Sequence, residues 1–184
     1  MTFRIKSTAV EISFWFAAVI TFLLLFMGNA SAVCFVLCVL HEAGHLTAML
    51  IFGSVPKKIE LGFFGMKIVT GSRILSPLKE IIIAAAGPCV NIVLWLILYL
   101  SDKTQWAVLS LGLAVFNLLP VPMLDGGRIL VNIIGSEKPI RLIGIAVSLV
   151  LLIVGTAVAV MTKKNFTILI VSLYLLTGTV AVKN

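Results

Sequence analysis

The chain contains two histidines, and they stand four apart in His41-Glu42-Ala43-Gly44-His45. Residues four apart share one face of an α-helix, so both imidazoles can reach a single tetrahedral metal ion. Glu42 follows the first imidazole and lies near enough to that face to take a proton from a water acidified by the metal. The chemistry implied is metal-assisted hydrolysis. A zinc site of this type needs a third protein ligand and keeps one position open. Of the remaining acids, Glu11, Glu60, Glu80, Asp102 and Glu137 flank apolar runs or sit in charged loops, where solvation accounts for them. Asp125 is left by elimination. It follows Val121-Pro122-Met123-Leu124 and precedes Gly126-Gly127, so prolines break the helix before it and glycines let the backbone turn close to another element.

The elements that position these residues are apolar. The 184 residues are 61% hydrophobic and 11% charged, with a mean hydropathy of +1.21. Soluble domains carry about 25% charged residues, so this composition excludes an ordinary soluble enzyme. Runs long enough to cross a bilayer predict an all-α polytopic membrane protein with about six spans. They are placed at about 12–27, 32–52, 78–100, 106–119, 140–161 and 166–182, in one membrane domain covering 1–184. The first, preceded by Arg4 and Lys6, is read as a retained signal anchor, with a signal peptide as the alternative. A carboxylate at bilayer depth costs about 2.5–3.5 kcal/mol on insertion scales, so Glu42 inside the second span calls for a function. A polar helix–helix contact is the bland alternative for the same residues.

Between Pro56 and Pro77 the sequence is too polar to span and too apolar for an ordinary loop. Partial alternation and β-branched residues across 59–69 predict a short hairpin or re-entrant element at the membrane edge, between the second and third helices. A plain interfacial loop is the other reading.

The net charge of +7 does not point to nucleic acid, because no basic stripe with interleaved aromatics occurs. The cations lie between apolar runs. With the N-terminus inside, Arg4, Lys6, Lys57, Lys58, Lys67, Arg73, Lys79, Arg128, Lys138, Arg141 and Lys183 fall on the cytoplasmic side. Lys103, Lys163 and Lys164 fall opposite. The positive-inside rule thus places both termini in the cytoplasm, with His41, His45 and Asp125 toward that same face. Cys34, Cys38 and Cys89 lie in apolar segments and read as small buried residues rather than disulfide partners. Cys34 and Cys38 share the helical stripe of the histidines, but core packing is preferred to a metal role.

HEAGH, followed by Asn117-Leu118-Leu119-Pro120-Val121-Pro122-Met123-Leu124-Asp125-Gly126-Gly127, resembles the site-2 protease family of intramembrane zinc metalloproteases, peptidase family M50. Gly87-Pro88-Cys89-Val90-Asn91 looks like that family's GPxxN element. The short form before HExxH is similar to the branch containing the sporulation protease that processes a pro-sigma factor. The chain ends at Asn184, so the CBS domain of many members of that branch is expected to be absent. The resemblance implies regulated intramembrane proteolysis in a bacterial cell membrane, with one zinc ion per chain. It implies that a transmembrane or membrane-associated protein is the substrate, with a membrane-protein regulator or a second copy of the chain as further partners. It suggests that Asn117 contacts the substrate or the developing oxyanion, against the plainer reading of a hydrogen bond to a neighbouring helix. It also suggests that 59–69 holds an unwound substrate as an added strand. Asn91 reads as structural. Two rivals remain, an inactive relative that binds membrane partners and a metal transporter. The intact HExxH with Asp125 argues against the first, and the lack of further ligands along other spans against the second.

Overall fold

The computed structural model describes residues 2–5, 8–14, 21, 29–62, 65–70, 75–163 and 166–181. The expected first span, 12–27, lies almost wholly outside the described residues. In chain order the elements are β1 (Thr2–Ile5), β2 (Thr8–Ile12), α1 (Asn29–Ile51), β3 (Pro56–Gly62), β4 (Gly65–Thr70) and α2 (Pro77–Leu100). There follow α3 (Thr104–Asn117), α4 (Asp125–Ile134), α5 (Glu137–Thr162) and α6 (Thr167–Ala181). The chain divides into two compact units, Met1–Ala114 and Val115–Asn184.

The first unit is built on α1 and α2. The buried residues of α1 are Leu37, His41, His45, Ala48 and Met49, one stripe at helical spacing. Those of α2 are Ile83, Ala84, Gly87, Pro88 and Asn91, a stripe of mostly small residues. Small residues let two helices approach closely, which is how helices pack in a bilayer where apolar burial gives little drive. At Gly44 of α1 an added Cβ would stand 2.8 Å from Val90 Cγ2 and 2.9 Å from the Ala86 carbonyl oxygen. Ala48, Met49 and Ile83 form the core beneath, with Phe52, Leu75 and Ala86 packed on it. α1 stops at Gly53, whose φ of 67° suits glycine, and Ser54 N–H closes the end on the Met49 carbonyl at 2.9 Å. Pro77 opens α2, where its missing N–H leaves no bond unmade. From α3, the buried Ser110 hydroxyl donates to the Asn91 carbonyl at 2.9 Å.

The segment after α1 is a hairpin of two strands, as expected, but it belongs to a larger sheet. The order is β1-β2-β3-β4, with β1–β2 and β3–β4 antiparallel and β2–β3 parallel. Lys58 lies 2.8 Å from Glu11 on β2 and 2.7 Å from Glu60, and the two carboxylates hold its amine above the ordinary lysine value. The first two strands were not expected. Arg4 and Lys6 before an apolar run look like the flank of a span, and the partner that makes 8–12 a strand lies near residue 60 in the sequence.

In the second unit α5 and α6 form a helical hairpin. A Cβ on Gly155 would lie 2.7 Å from the Leu169 backbone nitrogen, so the two backbones nearly touch. Arg141 also donates to the Val180 carbonyl at 3.1 Å. α4 was not expected, because its opening Gly126-Gly127 reads as a break. It ends at Gly135 in the left-handed conformation, φ 72°.

Among the described residues three helices, α1, α2 and α5, are long and apolar enough to cross a membrane. Large apolar side chains stand exposed along them, such as Leu100 and Ile153 at 73% and 70%, which suits contact with lipid rather than water. The protein is a membrane protein. The fourth and sixth expected spans are present as α3 and α6, of 14 and 15 residues. Each reaches only about 21–23 Å as a helix, short of a hydrocarbon core of about 30 Å.

Gly155→Val is expected to lower the thermal unfolding midpoint in detergent, since overpacking typically costs about 1–3 kcal/mol. Gly112→Ala in α3, where a Cβ meets nothing within 4 Å, should leave the midpoint unchanged or raise it.

Candidate metal centre

One turn of α1 separates His41 from His45, and both are buried, at 5% and 4% exposure. Their rings meet edge to face, with centroids 4.8 Å apart. The Nε2 atoms face each other at 3.1 Å. Two nitrogens bound to one tetrahedral zinc at about 2.0–2.1 Å would stand about 3.3 Å apart, close to the spacing seen.

The far side of each ring is held from α2. His45 Nδ1 lies 2.7 Å from the Ile83 carbonyl oxygen. A carbonyl only accepts, so Nδ1 carries the proton and Nε2 keeps its lone pair. His41 Nδ1 lies 3.3 Å from the side-chain amide of Asn91, which is fully buried. Ile83, Gly87 and Asn91 are spaced by four along α2, just as the histidines are along α1. Gly87 sits between. A Cβ there would collide with His45 Nε2 and stand 2.7 Å from His41 Nε2. Glycine is required at this point because the space belongs to the two imidazoles.

Asp125 is the first residue of α4 and is 7% exposed. A carboxylate in the first turn lies at the positive end of the helix dipole, a placement that stabilises the helix. Arg128 stands one turn on, with Nη1 3.7 Å from Asp125 Oδ1. The chain reaches this helix through 118–124, where successive turns bond Val121 N–H to the Leu119 carbonyl and Leu124 N–H to the Val121 carbonyl. That segment folds back over the helix start. A Cβ on Gly126 would strike the Leu118 carbonyl, and one on Gly127 the Val121 carbonyl.

His41 and His45 in the first unit and Asp125 in the second are each buried. Two imidazoles and a carboxylate make a donor set that suits zinc. Cys34 and Cys38 are free thiols. Glu42, next to His41, is half-buried, and Asn117, the last residue of α3, is half-buried as well.

The chain is similar to known proteins. The model of peptidase family M50 matches residues 104–161. The solved structure of a site-2 protease from Methanocaldococcus jannaschii superposes with a TM-score of 0.71, covering 97% of this chain and 93% of that one at 26% identity. A Synechocystis protein named as a zinc metalloprotease is 35% identical over 133 residues, 65% of this chain and 32% of that protein. A protein of the same description from Streptococcus pyogenes serotype M3 is 47% identical over 66 residues, 30% of this chain and 16% of that one. The chain thus matches about a third or less of the length of these curated relatives.

In the sequence Gly87 reads only as part of the GPxxN element and Asn91 as structural more often than catalytic; the four-residue spacing of 83, 87 and 91 matches that of the histidines. Gly87→Ala should abolish or sharply weaken zinc binding while helix content is retained, as read by metal analysis and circular dichroism of the purified protein.

Proposed function

We propose that the chain is an intramembrane zinc metalloprotease, hydrolysing a peptide bond in or near a transmembrane segment of a membrane-bound protein. The observation that carries this reading is the pair of buried histidine Nε2 atoms at 3.1 Å, close to the spacing of two nitrogens on one zinc ion. Residues 1–184 act in it as one catalytic membrane domain. His41, His45 and Asp125 hold zinc, which when bound acidifies a water and polarises the scissile carbonyl.

The remaining steps fall to side chains. Glu42 takes the proton from the attacking water at its carboxylate, then delivers it to the departing amine as the C–N bond breaks. Its place next to His41 supports the role. Asn117 offers a neutral amide donor to the developing oxyanion, and its position at the end of α3, just before the 118–124 break, supports a place facing substrate. The substrate segment must unwind, because helical peptide bonds are closed by their own hydrogen bonds. β4 lies at the end of the strand order, and an unwound segment would extend the sheet there.

In this reading the protein crosses a bacterial cell membrane several times, with both termini and the opening of the site facing the cytoplasm. The distribution of Lys and Arg supports that orientation. Cleavage of this kind releases a signal from a membrane anchor, which is regulated intramembrane proteolysis.

A tagged transmembrane substrate incubated with the purified protein should be cut by wild type. Glu42→Gln should retain zinc and lose at least about 100-fold in rate, the usual scale for loss of a general base. Asp125→Asn should lose zinc and activity together. Equal cutting by all three would assign the cleavage to a contaminating protease and remove this reading.

A further inference from the structure

Asn91 meets His41 from behind, and its amide is placed in a way that leaves one end unused. Nδ2 faces the His41 Nδ1 atom at 3.3 Å, while the buried Oδ1 has no hydrogen-bond partner. With Nδ2 donating, Nδ1 must accept, and the ring proton sits on Nε2, pointing at His45 Nε2 3.1 Å away. A ring in that tautomer has no Nε2 lone pair to give to a metal. The two ends of an amide exchange by a half-turn about the last side-chain bond, and which end faces a neighbour is settled by the hydrogen bonds available. Turned, Oδ1 accepts from Nδ1–H, and the Nε2 lone pair faces the same point as that of His45.

The neighbouring imidazole already shows the pattern. His45 Nδ1–H is held by the Ile83 carbonyl, an acceptor that cannot turn. Asn91 sits two helical turns further along the same face of α2, and Ser110 anchors its backbone carbonyl. Gly87 lies between them and leaves both rings free to advance.

We infer that Asn91 is a positioning residue for the metal centre: its Oδ1 accepts from His41 Nδ1–H, fixing the tautomer in which Nε2 binds zinc. This rests on the zinc reading proposed above. Metal-binding imidazoles commonly have an acceptor on the other ring nitrogen, and loss of it typically weakens metal binding about 10–100-fold.

The test is zinc affinity of the full chain in detergent, measured by competition with a chromophoric chelator, for wild type, His41→Ala, Asn91→Leu and Asn91→Asp. Cobalt spectra of the same proteins report the ligand field directly. Asn91→Leu keeps the size of the side chain and removes the acceptor, so it should bind about 10–100-fold more weakly. Asn91→Asp keeps only acceptors and should remain within a few-fold of wild type, with a wild-type-like cobalt spectrum. If Asn91→Leu binds as tightly as wild type, Asn91 merely packs and the inference is wrong. If Asn91→Asp folds and yet binds as weakly as Asn91→Leu, the acceptor assignment is wrong. Should Asn91→Leu fail to fold, Asn91→Asp decides alone. Wild type that holds zinc no better than His41→Ala would instead overturn the metal reading itself, a failure distinct from the other two.

Discussion

The close approach of α1 and α2 is the constraint on which the centre depends. Imidazoles in an apolar bundle have no water to satisfy their second nitrogen, and a buried polar atom left unpaired costs about 1–3 kcal/mol. Each ring therefore needs a partner at a fixed distance behind it. α2 supplies both, a backbone carbonyl at Ile83 and an amide at Asn91, and it can do so only because Gly44 and Gly87 let the helices come together. The glycines and the histidines are one device. Packing in most helical pairs fills space with side chains, whereas here space is withheld so that two rings can enter.

The same logic governs the approach to Asp125. Its helix begins under a folded-back segment whose carbonyls lie where Cβ atoms of Gly126 and Gly127 would be. Two glycines at a helix start are poor helix formers. They are tolerated because any side chain would push the segment away from the helix start. Pro122 contributes from the other direction, its ring set 2.6 Å from where a Cβ of Gly144 on α5 would stand. The break thus acts as a wedge seated on small residues, which fixes the register at which α4 begins.

What could be read in the sequence was whatever depends on short spacing. The pairing of His41 with His45 needs only the helical repeat, and the apolar helices need only their length. The hairpin after α1 declared itself by alternation within a dozen residues. The missed features all depend on partners far away in sequence. Thr8–Ile12 becomes a strand because residues 58–61 lie beside it. Asp125–Ile134 becomes a helix although Gly126-Gly127 suggests a turn, because the preceding segment packs over those glycines. The four-residue spacing of Gly87 and Asn91 is visible in the sequence, but its meaning appears only once α1 lies against α2.

The parallel pairing of β2 with β3 has a consequence for how the chain is threaded. A hydrogen-bonded sheet cannot be divided by a lipid bilayer, since neighbouring strands stand only about 5 Å apart. The four strands therefore lie on one side of any bilayer the protein occupies. Any crossings between Ile12 and Pro56 are then even in number. This parity follows from backbone hydrogen bonds alone, without depending on a single charge.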